Sequence, residues 1–365
     1  MADLIAANEP WGDVRAKLNA ALLAGGSTLF AKADPDSVAF TTDGATVALK
    51  AGSHIELGGA LFSFPAGAAV TMPVLTAGVD YAIYLCADGV LRADANFTAP
   101  VGFDAATSRQ IGGFHYAPGG NAAARDGGDA VAAINPYSLW DLKWRPACPD
   151  PRGMCLVADS FWTDIYLLGV DHHINGTSRH GVTIAHGGSP PKVPPMFGGN
   201  GAATYTLTQY AAAEIMSAHG KQLLSQSQFS AAAYGVKEAA QRGAHPVATG
   251  LGVNNAGTSN ADQKFTSKWG VIQATGCMWT WSREHSYRAD GADAAAITAW
   301  SWKAVTSGRG SVYSQGTVGL VAARLGGAWD YGSTCGSRAS HWDYAPWYSH
   351  SVIGARGCSD HLRHV

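Results

Sequence analysis

The chain has 365 residues, 47% apolar and 14% charged, with a formal net charge of −2. That length allows two or three domains with sizeable cores, and a near-neutral chain with scattered Lys and Arg excludes a phosphate-tracking nucleic-acid binder. The charged fraction lies well below the usual quarter, as expected if some surface is hidden between subunits. No stretch approaches the roughly 20 apolar residues of a membrane helix. The opening MADLIAANEPWGD lacks a basic start and an apolar run, so neither membrane insertion nor a leader is expected. Six Cys are too few for a disulfide scaffold; Cys148 and Cys155, within CPDPRGMC, could pair, line a core or do neither.

In chain order, residues 8–24 place Trp11, Val14, Leu18, Ala21 and Leu22 at helical spacing, with Pro10 near the start and Gly25-Gly26 as the stop. From 38 to 103 short alternating runs broken by Gly predict a β-rich part, including a hairpin of Tyr81–Cys86 and Val90–Arg92 joined across Ala-Asp-Gly. Residues 117–130, APGGNAAARDGGDA, have little to bury and predict a linker or exposed loop. Nearly all the Trp lie beyond residue 139. There, MCLVADSFWTDIYLLG supplies a strand or two, and helices are expected over Leu207–Ala218 and Gln228–Ala240, the second interrupted near Gly235. From Val271 onward short strands alternate with Gly/Ser loops, making this half α+β.

Motif chemistry is sparse. The sequence has no GxSxG elbow, P-loop, GxGxxG or HExxH. In DHHINGTSRH, His172 and His173 would point oppositely in a strand, so at most one could join His180, short of the three ligands a catalytic zinc needs. No DxDxDG calcium loop occurs. Cys335 and Cys358 lack the basic helix-start setting that activates a thiol. Trp279 and Trp281 alternate with Met278 and Thr280, which reads as a half-buried scaffold strand, with a sugar-stacking platform as the alternative.

The last forty residues differ in kind. Trp329, Trp342 and Trp347 are large enough to nail Gly-broken loops to a core, and Arg338 and Arg356 can each satisfy several loop carbonyls. Between them lie Ala328, Asp330, Tyr331, Thr334, His341, Asp343, Tyr344, Tyr348, His350 and Val352. Tyr, Asp, His and small residues in this mixture match the composition of a paratope, where Tyr offers contact area at low entropy cost. The tail therefore reads as a binding face on a rigid frame.

The stretches INPYSLWDLKWRPACPDPRGM, FWTDIYLLGVDHHINGTSRHG, ATGCMWTW, GSRAS and IGARG with DHL resemble the variable proteins of diversity-generating retroelements, specifically across about 134–365 and mainly in layout before that. The resemblance implies a C-type-lectin-like C-terminal domain of the formylglycine-generating-enzyme type, preceded by a small β-rich N-terminal region that forms homotrimers. It implies a helix and trimerisation region over 1–45, a β-rich intermediate domain and linker over 46–130, and a ligand-binding domain over 131–365 with its variable region at about 325–353. In such systems template adenines are miscopied, so an Asn codon reaches Tyr, Asp, His, Thr, Ala or Val but not Trp, whose codon ends in G. The ten interspersed residues fit that rule as ligand contacts; Ser351 and Trp347 are possible extra contacts, Trp347 standing where a smaller residue is usual. Trp329, Trp342, Arg338, Arg356, Trp279 and Trp281 become the scaffold anchors. The usual ending GARGVCDHL is here GARGCSDHL.

The function so implied is a non-enzymatic tail-fibre adhesin of a phage or prophage virion, exposed outside the cell and recognising a host-cell surface protein or glycan. It needs no cofactor, metal, nucleic acid or membrane insertion. The alternatives are a formylglycine-generating or sulfatase-modifying type of enzyme working through Cys335 or Cys358, and a bacterial surface lectin.

Overall fold

The computed structural model describes residues 29–252, 261–288, 301–304, 311–314 and 319–362; the helix expected over 8–24 lies outside them. Alternating short runs become short antiparallel strands. Phe30–Ala31, Ser53–Leu57 and Ala60–Phe64 form one sheet, and Phe40–Thr42, Val47–Leu49 and Ala68–Ala69 a second. In a larger sheet Val79–Cys86 lies between Leu91–Asp94 and Ser108–Ala117, and the latter also pairs with Ala133–Ile134 and Trp140–Asp141. The expected hairpin is present, with Leu85 opposite Leu91 and Gly89 at φ +79° in the turn. Phe30, Phe40, Leu49, Ile55, Ile83 and Phe114 close over one shared core. Burial of such side chains stabilises by about 1.5–3 kcal/mol each, and that collective gain holds strands too short to stand alone.

The segment 117–130 is a loop, but it is no free tether. Ala122 is buried, Ala122 N–H donates to Ser267 O at 3.1 Å, and Gly127 N–H donates to Gly235 O at 3.0 Å. Small residues let this backbone lie flat on the second half of the chain. Buried polar groups weld the two halves. Asp141 accepts Lys32 Nζ at 2.9 Å and Ala39 N–H at 2.7 Å on one oxygen, and Lys143 and Trp144 N–H at 2.7 and 2.8 Å on the other. Asp80 Oδ1 accepts Gly153 N–H at 3.0 Å and lies 2.8 Å from His115 Nδ1, whose Nε2 is 2.9 Å from Tyr166 OH. With Nδ1 protonated, His115 donates to Asp80 and accepts from Tyr166, so both nitrogens of this buried ring are satisfied.

In the second half, Met154–Val157 and Phe161–Asp164 form a hairpin, joined to Gly357–Asp360 and then Gln222–Leu223. A six-stranded sheet runs Ser301–Ala304, Ser311–Ser314, Ser340–Tyr344, Gly319–Leu325, Trp279–Arg288, Ile353–Gly354. The tail thus enters both sheets. Helix Gln209–Ala218 begins where Thr208 caps Ala211 N–H at 3.1 Å. The next, Gln226–Ala232, opens two residues before the expected start because Ser225 and Gln228 form a capping box. It stops well short of Ala240, since Gly235 sits at φ +100° and a Cβ there would lie 2.9 Å from Lys268 N.

Several expectations change. Met278, Trp279, Thr280 and Trp281 are all buried, so the start of this strand has no open face and these indoles form no sugar platform. His172 starts a single helical turn, His172–Asn175, rather than a strand. Its Nδ1 lies 3.0 Å from His219 Nε2 and its Nε2 donates to Lys192 O at 2.7 Å, while His180 packs apart from it against Tyr166. Among the described residues no three His, Cys, Asp or Glu side chains are placed to share a metal ion. All six cysteines are free and buried, Cys148 and Cys155 included. Burial pushes the thiols of Cys335 and Cys358 up to about 12, which leaves them protonated and inert at neutral pH.

Arg356 locks the crossing of the two sheets. It is 1% exposed; Nη1 donates to Asp164 O at 2.8 Å and Ile165 O at 2.6 Å, and Nη2 to Ile272 O at 2.7 Å. Arg356→Met should cost on the order of 3–5 kcal/mol, because buried carbonyls lose charged donors; urea unfolding of the full chain checks this, and a shift below about 1 kcal/mol would contradict it. Burial also pulls His172, His180 and His186 down to about 4. Their unfolded value lies near 6.5, so their contribution is complete above that pH and declines as pH falls toward 4. Each adds a slope of up to about 1.4 kcal/mol per pH unit in that window. Stability measured by urea across it should fall steadily, and a flat profile would refute the burial of neutral imidazoles.

Candidate functional site

The tail is held first by its backbone. Gly326 and Gly327 lie at φ +94° and +90°, and a Cβ on Gly327 would overlap Cys335 Sγ, so the chain can double back only with glycine there. Trp329 N–H donates to Cys277 O at 3.1 Å, and Gly243 N–H to Trp329 O at 2.9 Å. Side chains of an earlier segment complete the clamp. Glu238 accepts Ser337 N–H at 2.9 Å and Ser337 Oγ at 2.5 Å, and Gln241 Oε1 accepts Gly332 N–H. Further along, Gln209 N–H donates to Pro346 O at 2.9 Å, and Gly187 N–H to His350 O at 3.1 Å.

On this frame the tail lays out a row of near-parallel rings. His341 and Tyr344 are 6.3 Å apart with 13° between planes, Tyr344 and Tyr348 3.8 Å with 16°, and Tyr348 and His350 6.1 Å with 11°. Tyr331 meets Trp279 edge-on at 5.1 Å. Beneath the row lies Arg324, 1% exposed, with its guanidinium 4.2 Å from the Tyr344 ring. Its Nη2 donates to Asp343 Oδ1 at 2.6 Å, and His341 Nδ1 contacts the same oxygen. Burial alone would raise the Asp343 carboxyl, but the hydrogen bond from His341 and the charge of Arg324 outweigh it and hold the group below its ordinary range. Burial pushes Tyr344 up to about 12, so its hydroxyl stays protonated. With Arg324 on one side and Tyr348 stacked on the other, Tyr344 presents its edge, not an open face.

The expected contact residues separate by depth. Asp330, His350 and Ser351 are exposed, and Trp347 is 64% exposed, beyond any anchoring role. Tyr331, Thr334, Asp343, Tyr344 and Tyr348 are half-buried along the row. Ala328, His341 and Val352 are buried, which departs from the expectation that each meets a ligand. Ala328 bridges Cys277 and points its methyl into the core; Val352 packs in the same core and its carbonyl accepts Trp279 N–H. His341 lies opposite Arg324 across the sheet, so its ring turns inward. Of the anchors, Trp279, Trp281 and Arg356 are fully buried, whereas Trp329, Trp342 and Arg338 are half-buried. Sequence reasoning missed Arg324, Glu238, Gln241 and Gly187. Only Arg324 had a legible signal, a lone charge inside the apolar strand VAARL.

Comparisons with known proteins place the chain by sequence and fold. Residues 37–141 match the family described as Mtd second domain. Over 337 residues the chain is 52% identical to the tail fiber receptor-binding protein of Bordetella phage BPP-1, covering 92% of this chain and 85% of that one. The M1 and P3c variants of the Major Tropism Determinant superpose with TM-scores of 0.83 at 50% identity, over 94% of this chain and 88% of theirs. The U1 variant gives 0.82, over 93% and 88%. Identity at this level along nearly the whole length places the chain in the major tropism determinant family of phage tail-fibre proteins.

Proposed function

We propose that this chain is a non-enzymatic receptor-binding adhesin of a phage or prophage tail fibre, carried on the virion and presented to the host-cell surface. The observation that carries the reading is its 52% identity, over 92% of its length, to a tail-fibre receptor-binding protein. The row of half-exposed rings on a frame clamped by Glu238, Gln241, Gln209 and Gly187 supports placing the contact surface in the tail. On this reading residues 325–353 are the diversified region of a C-type-lectin-like domain of the formylglycine-generating-enzyme type. The preceding β-rich parts, with boundaries near 45 and 130, serve a homotrimer, and the partner is a host surface protein or glycan. Trimerisation would convert a weak single face into strong multivalent attachment. The thiol-based enzyme reading loses its chemistry, because Cys335 and Cys358 are buried and protonated.

Labelled full chain binding to a panel of intact Gram-negative cells, Bordetella included, tests the reading by flow cytometry. Asp330→Ala, Trp347→Ala and His350→Ala sit on exposed positions, so each should shift stability by less than about 0.5 kcal/mol. Together they should lower binding at least about tenfold, since a few exposed anchors dominate such interfaces. Undiminished binding by the triple variant would move the contact surface elsewhere. A near-identical template repeat differing at adenines, beside a reverse transcriptase gene, is the expected genomic context; sequencing the flanking DNA decides it.

A further inference from the structure

Arg324 lies at the edge of the tail, on the strand Gly319–Leu325, opposite Trp281 on one side and His341 on the other. Its side chain is 1% exposed. The guanidinium is 5.4 Å from the ring of Trp279 and 4.2 Å from that of Tyr344, and its Nε is buried without a hydrogen-bond partner. The carboxylate paired with it is Asp343, 2.6 Å away and 15% exposed. Asp343 covers this cation together with the Tyr344 ring and with His341, whose Nδ1 lies 2.9 Å from the same Nη2.

The two partners differ in permanence. Arg324 precedes the stretch 325–353, whereas residue 343 belongs to it, and small neutral residues are reachable there from an Asn codon. Removing one member of a buried ion pair is strongly destabilising because it strands a charge; removing both costs far less. We propose that Arg324 is a fixed specificity-determining cation whose availability is set by the residue at position 343, an inference that rests on reading 325–353 as the recognition face. With Asp343 present the cation is neutralised internally and supports Tyr344 and the rings beyond it. With a small neutral residue there, the same guanidinium becomes a recessed subsite for an acidic side chain of the partner. Arg suits that task, since its planar fork matches a carboxylate. The recess is only as wide as the lost Asp343 side chain, so it admits a carboxylate on a narrow methylene stem and rejects one borne directly on a sugar ring.

The test uses the full chain, thermal melting, and sodium acetate, sodium glucuronate and sodium chloride as probes at equal ionic strength. Asp343→Ala should melt on the order of 5 °C below wild type and also below Arg324→Met/Asp343→Ala. Acetate should raise the melting temperature of Asp343→Ala several degrees beyond chloride, through binding to the folded state alone. It should leave wild type and the double variant unmoved, and glucuronate should act no better than chloride. If Asp343→Ala does not fold while the double variant does, the stranded charge is confirmed and Asp343→Asn serves for the acetate measurement. An Asp343→Ala protein as stable as wild type, equal protection of all three proteins by acetate, equal protection by glucuronate, or failure of both variants to fold would each overturn the proposal. No host receptor enters the measurement, so its failure and a failure of host binding are separate results.

Discussion

One buried guanidinium determines whether the tail can be a platform at all. Arg356 lies near the chain end, yet its donors reach carbonyls at 164, 165 and 272, on segments that are also joined by Ile272 N–H donating to Ile165 O at 2.9 Å. Burial lowers it to about 10, which still leaves it charged at neutral pH, so its hydrogen bonds keep the strength of ionic donors. The strand that follows, Gly357–Asp360, can then insert between Phe161–Asp164 and Gln222–Leu223. A tail anchored at its far end and started by a left-handed Gly pair is a closed loop, and side chains between those points can change without releasing the backbone.

Depth within that loop sorts the residues physically. Ala328, His341 and Val352 turn into the core, where shape and polarity constrain them. The ring row lies halfway out and is coupled to the core through Arg324, because Tyr344 rests on the guanidinium and Asp343 neutralises it. Asp330, Trp347 and His350 have exposed side chains, while the His350 carbonyl is held by Gly187 N–H. On the proposed reading, recognition by such a surface is graded: exposed positions alter contacts directly, while half-buried positions alter them by moving neighbours. A face built this way combines the low entropy cost of stacked rings with a range of side chains at its rim.

Much of this was legible in the residues. The Ala-rich helix ending at Ala218, the hairpin around Gly89 and the Gly-broken, Trp-studded tail all follow from local chemistry. So does Arg356, whose small neighbours in GARG announce a buried fork. The misreadings share one cause. Short-range periodicity cannot tell a half-buried strand from one covered on both faces, which is why Trp279 and Trp281 were expected to leave a side open. Nor can it separate a loose Gly/Ala linker from a loop pressed flat, as 117–130 is, because the same small residues permit both.

The sequence by itself determined the inventory: short β elements first, an α+β half after them, rigid large side chains spaced among adaptable ones, and too little charge or reactive chemistry for most other functions. Only the tertiary structure decided which of those side chains face outward. Asp343 and Trp347 both read as outward contacts from sequence; the sheet brings Arg324 against Asp343 and leaves Trp347 64% exposed. Burial and ion pairing are properties of segments brought together from distant parts of the chain, and no local pattern encodes what will arrive on the other side.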